Sequence, residues 1–235
     1  MESHNIKKLT VTKHHHLTKA SYRLDVDERR LLFSALSLVN PQVSIDGDIE
    51  VSADLFAEQW GIDKKNVYHQ LKKARDNLYE RTVRLQKLDS NTIWDIRWID
   101  GCSYNDVTRC VKLSFGKKIT PYLSDLKKWF SSYKLTDIKA LKSGHSMRLY
   151  DLLMQFEDNG FYTVFIRELR EQFGVIGKHK RWVDLRRYVI DVAVKEINSQ
   201  TPYKVHYELE KKGRAFHKIT FFFELRSQLD MFQNL

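Results

Sequence analysis

The sequence predicts an α+β fold in which one pattern of elements occurs twice. In both halves of the 235-residue chain, an amphipathic helix precedes a pair of helical segments whose first member ends at a glycine. Segments of alternating apolar and polar residues follow, as expected for half-buried β-strands. This order is typical of a helix-turn-helix with a β wing, so we expect two tandem winged-helix domains related by pseudo-duplication. We place them at residues 1–134 and 135–235.

The charge of the chain favours nucleic acid as its partner. Forty Lys and Arg residues against thirty Asp and Glu residues give a formal net charge of +10 and a pI near 9.4. A hydrophobic content of 42% is enough to build two cores. No apolar run approaches the roughly 20 residues that span a bilayer, and the N-terminus lacks the apolar stretch of a signal peptide. We therefore expect a cytoplasmic protein without membrane contact.

Cysteine and histidine residues do not predict a metal site. Cys102 and Cys110 lack metal-ligand spacing and a disulfide framework, which suits a reducing compartment. His14, His15 and His16 are neighbours that point in different directions, with no acidic or cysteine partner nearby. We interpret residues 1–16 as a solvated arm or a short strand, and we expect no cofactor.

The first convincing helix has clear capping signals. Asp25 is a good N-cap, Glu28 completes a capping box, and the helix should end before Pro41. A spacing of seven invites a zipper interpretation, but two of the four leucines precede the cap, so we favour a core role. These leucines are Leu17, Leu24, Leu31 and Leu38.

A helix-turn-helix follows in the N-terminal half. Residues 48–51 predict a short strand, and residues 52–61 predict a short helix that ends at Gly61. Asp63 is then a candidate cap for a helix from residue 64 to about residue 81. Its outward residues include three candidate DNA contacts, Lys65, Lys72 and Arg75.

Alternating segments after this helix predict a wing. Residues 82–88 and 92–100 surround the turn residues Asp89, Ser90 and Asn91, and residues 107–115 offer a third strand of the same sheet. Exposed tryptophans on a strand can stack on bases, but a half-buried strand more often carries them in its core. We favour the core for Trp94, Ile96 and Trp98.

The junction between the halves should contain at least one helix. Within residues 121–142, four large apolar residues have helical spacing: Leu123, Leu126, Trp129 and Phe130. A polar break at residues 142–144 then precedes an amphipathic helix at residues 146–156, which Gly160 terminates. This helix corresponds to the one that begins at Asp25.

The second helix-turn-helix is the most cationic part of the chain. Its first helix carries Ile166, Leu169 and Phe173 and should end at Gly174. Its second helix, residues 181–200, is expected to bury one broad face. That face comprises Trp182, Leu185, Val189, Val192, Ala193 and Ile197.

Cations concentrate around the start of this second helix and in the hairpin that follows. An ideal helical wheel places Arg187 at the centre of the polar face, which makes it our first choice for contact with base edges. Lys178 lies in the link before the helix, and Lys180 and Arg181 are expected to contact the groove or phosphates. Arg186 projects towards the apolar flank of the wheel, so it contacts a phosphate, packs or reads a base. The wing should hold the DNA backbone through Lys211, Lys212 and Arg214.

These segments resemble a known protein family, the replication initiators of iteron-carrying bacterial plasmids. The resemblance extends from about residue 20 to residue 225, and it depends on the order and spacing of several short motifs. The motifs are Leu24-Asp-Val-Asp-Glu-Arg-Arg-Leu-Leu32, Arg148-Leu-Tyr-Asp-Leu-Leu, Phe165-Ile-Arg-Glu-Leu-Arg, Lys195-Glu-Ile-Asn198, Tyr207-Glu-Leu-Glu-Lys-Lys-Gly-Arg214 and Ile219-Thr-Phe-Phe-Phe.

The resemblance implies a non-enzymatic initiator that binds directly repeated sites in double-stranded DNA. It further implies sequence reading by the C-terminal domain, and dimerisation and auxiliary DNA contacts by the N-terminal domain. Monomers would open the origin and recruit the host initiator and helicase, whereas dimers would repress the initiator's gene or couple origins. The N-terminal arm is shorter than in the family pattern. Two helices in successive major grooves would cover about two helical turns, or roughly 20 base pairs.

Two other functions compete with this interpretation. A winged-helix transcription repressor would use the same surface. A rolling-circle initiator would nick DNA with a tyrosine and a metal held by a His-apolar-His pair, but histidine occupies the apolar position in residues 14–16. The sequence also lacks a P-loop pattern for nucleotide binding, so we expect no ATP-driven unwinding by this chain.

Overall fold

The computed structural model describes residues 8–86 and 91–226, which belong to two compact units, Met1–Lys139 and Ala140–Leu235. The division falls after Lys139 rather than at the predicted residue 134. Two contacts attach the intervening residues to the first unit. The Leu135 N–H donates to the carbonyl of Leu9 at 2.9 Å, and the Lys139 ammonium donates to the carbonyl of Glu58 at 2.9 Å.

Capping explains two helix boundaries in the first unit. The Asp25 carboxylate accepts from the Glu28 N–H at 2.8 Å, and the Glu28 carboxylate accepts from the Asp25 N–H at 2.9 Å, which confirms the capping box. Gly61, with φ of 64°, ends the short helix as expected. The elements are β1 (Thr10–His14), α1 (His15–Lys19), β2 (Ser21–Tyr22), α2 (Val26–Ser37), β3 (Ile49–Ser52), α3 (Ala53–Trp60) and α4 (Val67–Tyr79).

The predicted start of α4 was wrong. Asp63 accepts from the Lys65 N–H at 2.9 Å, so its side chain stabilises the turn before the helix. The helix begins at Val67, and its N-cap residue Asn66 makes no side-chain capping bond. Lys65 therefore lies in the turn, where its side chain is exposed.

The described strands of the first unit form three antiparallel sheets. They are ordered β3-β7-β6, β2-β4-β5 and β1-β8. The single wing sheet predicted from residues 82–115 was wrong, because residues 92–100 contain all of β5 and the start of β6, which belong to different sheets and lie on either side of the buried Trp98. The elements are β4 (Thr82–Gln86), β5 (Ile93–Arg97), β6 (Ile99–Asn105), β7 (Cys110–Phe115), β8 (Phe130–Lys134) and α5 (Leu135–Ile138).

The predicted turn at residues 89–91 and the predicted tryptophan-rich strand have different outcomes. Asp89 and Ser90 of the predicted turn lie outside the described residues. The core role predicted for the tryptophan-rich strand is confirmed for Ile96 and Trp98, which are buried, while Trp94 is half-buried.

The helix inferred from the spacing of Leu123, Leu126, Trp129 and Phe130 does not form. Leu123 and Leu126 are buried, but Trp129 has φ of 59° and is 72% exposed, and Phe130 begins β8. The register of β8 against β1 pairs Phe130 with His14. Long-range strand pairing thus overrides the local helical spacing. The helix that does form between residues 121 and 142 is the short α5.

The core of the first unit centres on α2. Leu17, Leu24 and Leu31 are buried within the unit and Leu38 is half-buried, which confirms the core interpretation of the leucine spacing. Glu28 is fully buried, and its carboxylate accepts two hydrogen bonds from the Arg81 guanidinium at 2.7 and 2.9 Å. This bidentate pair joins the start of α2 to the chain segment after α4.

The second unit repeats the order of the first without the extra strands. Its sheet order β10-β11-β9 matches β6-β7-β3, because in both units the strand before the helix pair joins the last strand of the wing. The pseudo-duplication is therefore present in the topology. The elements are α6 (Gly144–Leu153), β9 (Phe161–Phe165), α7 (Ile166–Gln172), α8 (Trp182–Leu185), α9 (Asp191–Gln200), β10 (Tyr203–Lys212) and β11 (Ala215–Leu225).

A π-helical turn, Arg186–Ile190, joins α8 to α9. The wider turn shifts the buried face, so that the consecutive residues Val189 and Ile190 are both buried. Val192, predicted to be buried, is 41% exposed, and Trp182 is half-buried. The helix therefore spans the predicted range, but an ideal wheel does not describe its faces.

A buried polar cluster positions the helix pair of the second unit. Arg148, which is 1% exposed, donates from Nε to the carbonyl of Gln172 at 2.7 Å and lies 3.4 Å from the Asp151 carboxylate. The Tyr162 hydroxyl donates to the side chain of Gln172 at 2.8 Å. The cluster fixes the end of α7 against α6 and β9, just before Gly174 terminates the helix with φ of 63°.

Among the described residues, no helix is long and apolar enough to cross a bilayer. Cys102 and Cys110 are free thiols. Within residues 8–86 and 91–226, no three His, Cys, Asp or Glu side chains are grouped so that they could hold a metal ion.

Candidate nucleic-acid interface

Arg170 holds the turn that leads into the candidate recognition helix, residues 182–200. Its guanidinium donates to the carbonyl oxygens of Lys178, His179 and Lys180 at 3.2, 2.7 and 3.1 Å. The side chains of Lys178 and Lys180 remain exposed, so the turn presents two cations from a fixed backbone. Sequence reasoning missed Arg170, because nothing local distinguishes it from any other arginine on a helix surface.

Arg181, at the N-cap of α8, is paired within the helix. Its guanidinium donates twice to the Asp184 carboxylate, at 2.8 and 2.9 Å. Hydrogen bonding by Arg181 lowers the pKa of the Asp184 carboxyl, so this acid is ionised at neutral pH. A DNA contact by Arg181 must compete with this pair, and it stays a prediction.

The π-helical turn exposes Arg186 and Arg187 together. Arg186 is directed to solvent, with its Nε 3.4 Å from the Asp191 carboxylate, so the alternative in which it packs into the core was wrong. Arg187 lies beside the ring of Tyr188, 5.5 Å from its centroid. Among the described residues, no carboxylate lies within ion-pair distance of Arg187. Its guanidinium is therefore available to an external acceptor.

Two exposed apolar side chains accompany these cations. Val183 is 65% exposed and Tyr188 is 51% exposed. Apolar groups on a helix in the major groove contact thymine methyl groups, and tyrosine also hydrogen-bonds to phosphates. Both side chains are uncharged at neutral pH, so charge alone did not indicate them, and Tyr188 lies in the π-helical turn.

An open groove of about 490 Å³ lies between the π-helical turn and β10. On its floor the Tyr207 hydroxyl donates to the Asp191 carboxylate at 2.6 Å. Burial, followed by this hydrogen bond, raises the pKa of Tyr207 to about 12, so the hydroxyl stays protonated. Asp191 thus contacts both Arg186 and Tyr207. Its hydrogen bond with Tyr207 connects the recognition helix to β10, the first strand of the wing.

The wing carries its cations at the tip. Lys211, Lys212 and Arg214 are all exposed around Gly213, whose φ of 64° closes the turn. The Lys211 ammonium lies 5.0 Å from the ring centroid of Phe216. The same ring lies 5.0 Å from that of Trp182, so aromatic packing connects the base of the wing tip to the start of the recognition helix.

The three candidates of the first unit have different environments. Lys65 is exposed, whereas Lys72 donates to the Asp106 carboxylate at 3.1 Å. Arg75 was predicted to face outward, and that was wrong: it is 9% exposed, stacks over the Tyr104 ring at 4.7 Å and approaches the sulfur of Cys102 at 3.9 Å. The hairpin β6–β7 covers it, which a wheel drawn on α4 alone could not show. DNA contact by these three residues stays a prediction.

Two family descriptions match this chain. "Initiator Replication protein, WH1" matches residues 10–154, and "Initiator Rep protein, WH2" matches residues 166–223. The chain belongs to this family of replication initiators. The family resemblance and the tandem winged-helix fold predicted from the sequence are thereby confirmed.

Individual relatives of this initiator are distant in sequence, but their alignments cover most of its length. A replication initiation protein of Escherichia coli is 24% identical over 239 residues, covering 98% of this chain and 74% of that protein. An uncharacterized 27.6 kDa protein of Escherichia coli is 23% identical over 226 residues, covering 91% and 95%. The Pi initiator protein, crystallised in complex with iteron DNA, aligns with a TM-score of 0.79 at 23% identity, covering 93% of this chain and 98% of that one. This likeness supports the fold.

Proposed function

We propose that this initiator is a plasmid replication protein that binds directly repeated origin sites in double-stranded DNA. Family membership supports the initiator role, and the Pi initiator of the same fold was crystallised with iteron DNA. The observation that carries the proposal is the surface of the second unit. There, the turn, the recognition helix and the wing tip all carry exposed cations, and in the described residues no carboxylate lies within ion-pair distance of the Arg187 guanidinium.

The second unit supplies the sequence preference. Its recognition helix enters the major groove, where Arg187 donates to base edges and Tyr188 and Val183 make apolar contacts. Lys178 and Lys180 contact phosphates from the turn that Arg170 holds. The wing tip follows the backbone, which adds affinity for any sequence and a dependence on salt.

The first unit adds contacts on the neighbouring part of the repeat and mediates dimerisation. A monomer with both helices in successive major grooves covers about two helical turns, or roughly 20 base pairs. Monomers open the origin and recruit the host initiator and helicase, while dimers repress the initiator's gene. We propose these roles by analogy with the family. None of them requires the chain to catalyse a reaction, so we propose that it is not an enzyme.

Plasmid maintenance tests the initiator role. A test plasmid that carries the cognate origin is expected to persist in a host that supplies this protein, and to be lost when the protein is absent or carries Arg187→Ala. A protein that represses its promoter but fails to maintain the plasmid would instead be a transcription repressor. A nicked circle with protein on its 5′ end, after incubation of supercoiled plasmid with Mn²⁺, would contradict the non-enzymatic role.

A further inference from the structure

In the first unit, the tip of the β6–β7 hairpin places a carboxylate against α4. Asp106 Oδ1 accepts one hydrogen bond from the Tyr68 hydroxyl at 3.0 Å and another from the Lys72 ammonium at 3.1 Å. The Lys72 nitrogen also lies 3.7 Å from the ring centroid of Tyr104. The Arg109 guanidinium lies 5.8 Å from the ring centroid of Tyr68. One acid thus accepts from a hydroxyl and an ammonium, while the nearby Arg109 guanidinium donates to the carbonyl of Lys64 at 3.4 Å.

The hairpin tip of the second unit has the opposite chemistry. Its turn contains Lys211, Lys212, Gly213 and Arg214 and no acid, although the two hairpins occupy the same place in the two sheets. An acid at the tip of a DNA-binding wing repels the phosphates that the wing approaches. Contact with phosphates, the ordinary role of a wing tip, therefore does not explain an acid at position 106.

We propose that Tyr68 and Lys72 form a binding site for a phosphate of the DNA backbone, which the Asp106 carboxylate occupies while the protein is free. The proposal rests on the proposed function, because it requires that the chain bind double-stranded DNA. A phosphate oxygen accepts hydrogen bonds from the same hydroxyl and ammonium that Asp106 engages. A phosphate that enters the site takes over these two hydrogen bonds from the carboxylate.

The exposure of Asp106 and the protonation states of Asp106 and Tyr68 both allow this exchange. The Asp106 side chain is 66% exposed, so its carboxylate reaches water without opening the core. The hydrogen bond from Lys72 lowers the pKa of the Asp106 carboxyl, which keeps it ionised at neutral pH. Desolvation, together with the bond to Asp106, raises the pKa of Tyr68, which keeps its hydroxyl a donor. The exchange therefore needs no proton transfer.

The competition sets how much the first unit contributes to DNA affinity. Each phosphate contact adds about 0.9 to the slope of log K against log [salt] for B-DNA, which corresponds to a factor of about eight at 0.1 M salt. While Asp106 occupies the site, a DNA phosphate makes its contact there only if it displaces the Asp106 carboxylate. Sequence preference then depends mainly on the second unit.

The test measures binding of the full chain to a random-sequence duplex of about 30 base pairs over a range of salt concentrations. Asp106→Asn keeps the size and the acceptor oxygen but removes the charge. It is expected to tighten binding up to about eightfold at 0.1 M salt and to steepen the slope by about 0.9. Adding Lys72→Met to Asp106→Asn should abolish the gain. Thermal unfolding verifies that both variants fold.

Asp95→Asn is the matched control. Asp95 also belongs to an exposed ion pair, with Arg84 at 2.8 Å, so its substitution changes the net charge equally on the neighbouring β4–β5 hairpin. If both substitutions tighten DNA binding equally, the change in net charge alone explains the effect, and the proposal is overturned. Unchanged or weaker binding by Asp106→Asn would overturn it too. If the wild-type chain binds no duplex at all, the proposed function itself fails.

Discussion

Replacing Arg187 by alanine should reduce discrimination between DNA sequences while leaving the fold intact. The guanidinium contacts the exposed ring of Tyr188 at 5.5 Å and has no carboxylate partner among the described residues, so its removal leaves no unpaired acid. A bidentate contact to a base edge contributes about 1–3 kcal/mol of discrimination. Arg187→Ala should therefore raise the Kd for the cognate repeat about 5- to 150-fold, since about 1.4 kcal/mol is a factor of ten.

Gel-shift titrations on cognate and scrambled duplexes measure this change. Arg181→Ala is the matched control, because the Arg181 guanidinium already donates twice to Asp184. We expect the control to weaken both duplexes similarly, and Arg187→Ala to weaken chiefly the cognate one. Equal losses on both duplexes for Arg187→Ala would refute its role in base readout.

Three further predictions concern the wing and the first unit. Lys212→Ala should weaken binding to all duplexes similarly and reduce the salt slope by about one, as titrations at several salt concentrations would show. Arg81→Ala leaves the buried Glu28 carboxylate without its bidentate partner and should cost roughly 2–4 kcal/mol in urea unfolding, whereas Arg84→Ala should cost little. Burial lowers the pKa of His14 from 6.5 to about 4, so protonation favours the unfolded chain. Stability should fall as the pH drops from 6.5 towards 4, and His14→Gln should flatten that dependence in urea titrations.

Local signals in the sequence predicted the helices and the second wing well. The capping box of Asp25 and Glu28, and the glycines at 61 and 174, act within a few residues of the chain, so the sequence contains the whole cause. The alternating segments expected after the helix pair are present in β10, where the buried Tyr203 and Val205 alternate with exposed residues.

Long-range pairing explains the failures in the first unit. Trp129 and Phe130 have helical spacing, but β8 pairs with β1 more than a hundred residues away, and no local signal announces that partner. Arg75 is another example of an effect without a local signal. It is buried because the β6–β7 hairpin packs over α4. Strand pairing of this kind depends on tertiary contacts that propensity does not encode.

Charge predicted the exposure of the candidate cations in the second unit, but geometry predicted their surroundings only in part. The cations of the turn, the recognition helix and the wing tip were all identified, but the π-helical turn changed which side chains share a surface. It placed Arg186 in solvent and added Tyr188 to the candidate interface. Arg170 was missed because its effect is to hold three carbonyl oxygens in the preceding turn, which requires the folded loop.

Selection of bound DNA from a pool of random duplexes tests the central claim most directly. If two winged-helix units of one chain bind one site, with the second unit supplying the sequence preference, the recovered sequences should share a motif of about two helical turns that lacks twofold symmetry. The matching origin should then contain this motif as direct repeats. Recovery of an inverted repeat would point to a repressor dimer, and recovery of no common motif would contradict sequence-specific binding.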